Sequence, residues 1–89
     1  MPIAGNPKKL AYDVAQGHYQ FTPPTLHQHP PGELKAILFN LNFVLRELRG
    51  KQIPLEDIDA LKERNVKIQR LSQAIHMIQS YAASKKINL

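Results

Sequence analysis

Apolar side chains recur at three- and four-residue steps through the second half of the chain, and this pattern predicts two helices of unequal length. The longer runs from Pro54 to about Lys86. Ile58, Leu61, Ile68, Leu71, Ile75, Ile78 and Ala82 fall on one stripe there, with no glycine or proline inside. Pro54 suits a first helical position. Glu56, Asp57 and Asp59 place negative charge at the positive end of the helix dipole, and Lys85 and Lys86 place positive charge at the other. The shorter helix spans about 32–49, with Glu33 in its first turn and Gly50 just beyond its end. At 100 degrees per residue, Leu34, Ile37, Leu38, Leu41, Val44, Leu45 and Leu48 lie within an arc of roughly 120 degrees, the width of a core-facing face. The short stretch Gly50 to Ile53 between the two helices predicts an antiparallel hairpin packed like a coiled coil. Asn65 falls where an apolar residue would pack better, and a buried asparagine there would fix the register.

The N-terminal third reads differently. Asn6 is a good N-cap, Pro7 follows at the first helical position, and Gly17 stands where a helix stops in the left-handed conformation. A short helix over 7–16 follows, with Leu10 and Val14 as its anchors. About ten residues are marginal for an isolated helix, so this one must dock. Residues 17–31 contain Pro23, Pro24, Pro30 and Pro31, which predicts an extended proline-rich arm. Tyr19, Phe21 and Leu26 are more apolar surface than a free linker carries, so the arm is expected to lie on a surface. The fold class is therefore all-α, one structural domain in two parts: residues 1–31 as short helix plus arm, and residues 32–89 as the hairpin.

Two features exceed what a hairpin needs. Phe39 and Phe43, one turn apart, sit nearly opposite the leucine stripe, with Ala36 beside them and Lys35, Asn40, Arg46 and Glu47 flanking. Left open they form a sticky patch. The second feature is length. At about 1.5 Å per residue the helices span roughly 27 and 50 Å, so pairing outward from the connection leaves Ala74, Ile75, Met77, Ile78, Tyr81 and Ala82 unpartnered. Phe39, Phe43, Ile75, Ile78 and Tyr81 are thus the candidate partner-binding residues. The arm and the short helix are the internal alternatives for covering them, and another protein or a second copy of the chain the external ones.

Composition narrows the function. A chain of 89 residues is one domain that buries only about 60–65% of its unfolded surface, so cover from a partner matters. The absence of cysteine excludes disulfide frameworks, thiolate metal sites and thiol nucleophiles. The longest apolar run, Ala36 to Phe39, neither spans a membrane nor forms a secretory signal, so an intracellular, cytoplasmic setting is expected. A net charge of +5 keeps nucleic acid as a lesser partner, contacted through Arg46, Arg49 and Lys51, although Glu47, Glu56, Asp57, Asp59 and Glu63 are interleaved with the cations. His27 and His29 lack a third metal ligand nearby, His18 and His76 have no visible nucleophile, and no phosphate loop or serine elbow is present. No catalytic, cofactor-binding or metal-binding residue is assigned, and no small-molecule substrate is expected. The expected function is a non-enzymatic protein–protein interaction subunit or adaptor that helps assemble a larger complex through apolar helical faces. The alternative is a basic nucleic-acid-associated structural protein of the ribonucleoprotein or virion type.

Overall fold

The computed structural model describes residues 7–89, and the expected N-cap Asn6 lies outside them. The described chain is all-α: α1 is Pro7–Gln16, α2 Pro23–His27, α3 Pro31–Gly50 and α4 Ile58–Ser84. They fill a body of 44 × 25 × 18 Å whose long axis matches α4, about 40 Å by helical rise.

The first helix ends as its glycine foretells. Gly17 takes φ +83°, its N–H donates to the Val14 carbonyl at 3.1 Å, and the His18 N–H donates to the Asp13 carbonyl at 2.8 Å. These are the paired bonds of a Schellman turn. Arg70, from α4, lies against this turn and donates from Nη1 to the Ala15 carbonyl at 3.1 Å. A Cβ at position 17 would meet Arg70 Cζ at 3.0 Å, so the glycine serves both the backbone angle and the close approach. The buried residues of α1 are Ala11, Val14 and Ala15, while the expected anchor Leu10 is half-buried. Two alanines bring the helix axis close to its neighbours, since interaxial distance follows side-chain size. Lys8 lies over Phe43 and Tyr12 bonds to Glu47, so α1 runs parallel to the second half of α3.

The arm is not wholly extended. Residues 23–27 form a helical turn and a half, because a proline pair is forbidden in a helix interior but not at its first positions, where no N–H is needed. Thr22 caps the turn by accepting from the Thr25 N–H, and Thr25 Oγ1 accepts in return from the Thr22 N–H at 2.8 Å. Phe21 and Leu26, 2% and 0% exposed, enter the same core as Ile75 and Ile78, and Tyr19 packs at its edge.

Helices α3 and α4 form the expected antiparallel hairpin, with two shifts. The first is that α3 continues through Gly50 and ends at Lys51 in extended backbone, φ −75°, ψ 127°. The Lys51 carbonyl accepts from Arg64 Nη1 at 3.2 Å, so a side chain from α4 rather than a glycine turn satisfies this end. The second is that α4 begins at Ile58, not Pro54. Asp57 is the N-cap, accepting from the Ala60 N–H at 3.2 Å, and Pro54 starts a turn closed by the Asp57 N–H on its carbonyl at 3.0 Å. A side-chain acceptor at the N-cap outweighs a proline's preference for the first helical position.

These shifts move the unpaired segment. The level of Lys51 matches Arg64, so the first turns of α4 project beyond α3, and the C-terminal half is the part enclosed. Ile58 is accordingly 59% exposed and Asn65 is exposed, which removes the proposed register role, whereas Leu71, Ala74, Ile75, Ile78 and Ala82 are buried. The core also takes Leu34, Ile37, Leu41, Val44 and Leu45 from α3 and Ala11, Val14 and Ala15 from α1.

The end of α4 repeats the Schellman pattern without a glycine. Lys86 sits at φ 56°, its N–H on the Ala83 carbonyl at 3.2 Å, and the Ile87 N–H on the Ala82 carbonyl at 2.8 Å. A β-carbon in that region costs about 1 kcal/mol. Lys86→Gly is therefore expected to raise stability by about 0.5–1 kcal/mol, and Gly17→Ala to lower it by more than that, because Arg70 fills the space as well. Urea melts with unchanged slopes would register both as opposite shifts in midpoint.

Candidate protein-docking face

The aromatic pair of α3 is left uncovered, as are the aliphatic Leu55, Ile58 and Val66 before and along the first half of α4. Leu34, Ile37, Leu41, Val44 and Leu45 turn α3 toward α1 and α4, so Phe39 and Phe43 must face away from the core. Phe39 is 69% exposed. Phe43 is 37% exposed, shielded in part by Lys8, whose Nζ stands 5.4 Å from the ring centroid. Tyr12 of α1 adds a third ring at 38% exposure, and its hydroxyl donates to Glu47 Oε1 at 2.9 Å. Lys35 and Arg46 lie in line with the two phenylalanines along α3, one turn before Phe39 and nearly one turn after Phe43, and both are exposed. Among the described residues neither has an ion-pair partner. The result is a shallow aromatic strip with cations at both ends and along the α1 side.

The other expected partner residues divide. Ile78 is 0% exposed and Ile75 9%, so both belong to the chain's own core and are closed to a partner. Tyr81 is half-buried, its hydroxyl sharing a hydrogen bond of 3.1 Å with His27 Nδ1 and its ring edge-on to the imidazole at 5.3 Å. This pair pins α2 to the end of α4. His29 turns elsewhere. It is buried and donates from Nδ1 to Glu33 Oε1 at 3.1 Å, so the two imidazoles have separate partners. Among the described residues no group of three or more histidines and carboxylates is placed to hold a metal ion.

Arg46, Arg49 and Lys51 are all exposed, but they spread around the end of α3. Arg49 is about 60 degrees round the helix from Arg46, and Lys51 lies past the last turn. A cleft of about 270 Å³ opens between α1, the arm and α4, lined by Tyr19, Phe21, Arg70, Gln73 and Met77. The Arg70 guanidinium there is already committed to Ala15. A second cleft, about 290 Å³, lies under the α3–α4 connection beside Arg64, whose Nε is buried without a hydrogen-bond partner. No helix among the described residues is long and apolar enough to cross a membrane.

The chain matches no protein-family model, no curated protein and no solved structure. Its function rests on the geometry.

Tyr12 and Lys8 belong to the strip but were not legible as such. A ten-residue helix does not announce which side of α3 it will occupy, and its contact through the small buried residues Ala11 and Ala15 is seen only in the fold. The hydrogen bond to Glu47 holds the Tyr12 hydroxyl above its ordinary value of 10.0, with desolvation and the nearby carboxylate charge adding to the effect. Ionisation would set a phenolate against a carboxylate. The contact's contribution is thus present below pH 10.0 and is lost as pH rises through the raised folded value. Glu47→Ala is expected to move the Tyr12 midpoint down toward 10.0, read from phenolate absorbance against a Tyr12→Phe reference. An unmoved midpoint would show that the contact is absent in solution.

Proposed function

We propose that this chain is a non-enzymatic interaction subunit, an adaptor that docks another protein on the outer face of α3 and so helps to assemble a larger complex. One observation supports the reading above the others: Phe39 stands 69% exposed beside two further exposed rings, in a domain that buries the apolar stripe of the C-terminal half of α4. The exposed aromatic rings, Tyr12, Phe39 and Phe43, stand together on this face, whereas the other exposed large apolar side chains among the described residues, Leu55, Ile58 and Val66, are aliphatic and lie just before and along the first half of α4. Aromatic anchors are what a protein interface favours. The strip lies on regular helix and is flanked by helix α1, so its rings are presented at fixed spacing and little ordering would be needed on binding. No catalytic step enters this proposal, and an intracellular setting is part of it, since a cysteine-free chain needs no oxidising compartment.

A nucleic-acid role is the second reading, favoured by the exposure of Arg46, Arg49 and Lys51 at one end of the molecule. It is the weaker one. The three cations spread around the end of α3 rather than lining one groove, and Glu47, Glu56, Asp57, Asp59 and Glu63 are interleaved with them along the chain.

A photo-crosslinking phenylalanine analogue at position 39, compared with one replacing the exposed Gln79 on α4, separates the readings in cells that make the chain. Position 39 is expected to give a discrete protein adduct that is lost with Phe43→Glu and that position 79 does not give. Adducts to nucleic acid, or equal labelling from the two positions, would contradict the proposal.

A further inference from the structure

The charge around the aromatic strip specifies its occupant. We infer that the strip takes an amphipathic helix whose apolar side chains are bracketed by carboxylates at both ends. This rests on the docking role proposed for the face and goes beyond it in naming the partner's chemistry.

Spacing sets the size of the occupant. Lys35, Phe39, Phe43 and Arg46 follow one another along α3 at steps of four, four and three residues, which puts them on a single line about 16 Å long. A partner helix of three turns laid beside that line matches its length, with apolar side chains at i, i+4 and i+7 meeting the two rings. The cations then stand opposite its first and last turns, and Lys8 stands opposite its flank beside Phe43. Of the two carboxylates on α3, Glu33 is paired with His29 and Glu47 accepts from Tyr12 and is turned to α1. Lys35 and Arg46 therefore meet an incoming partner without an internal counter-charge, and carboxylates at the partner's two ends would supply it.

The same arrangement argues against a second copy of the chain. A two-fold contact sets each patch against itself, so Lys35 of one protomer would face Arg46 of its partner, with Lys8 added from both sides. Like charges in apposition oppose that association.

Binding of three designed fourteen-residue helical peptides to the full chain tests the inference by fluorescence anisotropy. One carries leucines at i, i+4 and i+7 between glutamates in its end turns, the second has lysines in place of the glutamates, and the third has alanines in place of the leucines. An eight-nucleotide oligodeoxythymidine is run beside them. The glutamate peptide is expected to bind about tenfold or more tighter than either other peptide, and to lose about tenfold with Phe39→Ala or Phe43→Ala. The triple variant Lys8→Glu, Lys35→Glu, Arg46→Glu is expected to reverse the preference toward the lysine peptide. Circular dichroism of each variant checks that its helix content is unchanged, which the exposure of these residues predicts.

If glutamate and lysine peptides bind alike and both depend on Phe39, the docking face stands and the acidic partner is overturned. If no peptide binding depends on Phe39 or Phe43, the acidic partner and the docking face both fall. Tighter binding of the oligonucleotide, abolished by the triple variant, would give the face to nucleic acid, and a dimer of the free chain that dissociates with Phe39→Ala would give it to a second copy.

Discussion

The structure depends on covering the half of α4 from Leu71 to Ala82. Five of its residues are buried, and on the scale of about 1.5–3 kcal/mol for each large apolar side chain removed from water they cannot stand open on a domain of this size. One helix cannot enclose them. α3 covers one side, α1 packs against both helices, and the arm folds back so that Phe21 and Leu26 close the remainder. The fittings around this core serve the same end: the Gly17 turn that lets Arg70 approach, the double-threonine cap that makes a helical turn from a proline pair, and the His27–Tyr81 pair that holds the turn to α4.

Much of this was legible from apolar spacing. The α3 stripe, the short α1 stopped at Gly17 and the antiparallel hairpin follow from period and capping, which are local properties. What escaped depends on competition between local signals or on contacts distant in sequence. Pro54 and Asp57 both mark a helix start, and periodicity alone does not say that the carboxylate cap prevails. Once α4 begins at Ile58, the connection lengthens, the pairing starts at Arg64 rather than at the connection, and the unpaired segment moves to the other end of the helix. The arm's short helix was hidden because four prolines in fifteen residues dominate any propensity argument, while the Thr22–Thr25 reciprocity that rescues it is a two-residue detail.

The aromatic strip has the opposite character. Its two phenylalanines were visible from sequence as a surplus face, but whether the N-terminal segment would cover them was a tertiary question. The structure divides the two surplus surfaces between internal and external use: the arm and α1 go to α4, and α1 touches the strip only at its edge through Lys8 and Tyr12. Had the arm lain on Phe39 and Phe43, Ile75 and Ile78 would be the exposed residues and the partner face would be aliphatic. The choice fixes both the location of the proposed interface and its charge, because Lys8 comes with α1 and Lys35 and Arg46 come with α3.

Residues 7–31 cover α4 within the same chain and leave the α3 strip open, and everything proposed for that strip depends on this division. The most direct measurement is sedimentation of the full chain beside a form lacking residues 1–31. A monomeric full chain is expected, with a truncated form that self-associates through its exposed Ile75, Ile78 and Tyr81. A truncated form that stays monomeric and fully helical would contradict the internal cover, as would a full-length dimer in which these residues meet across two copies.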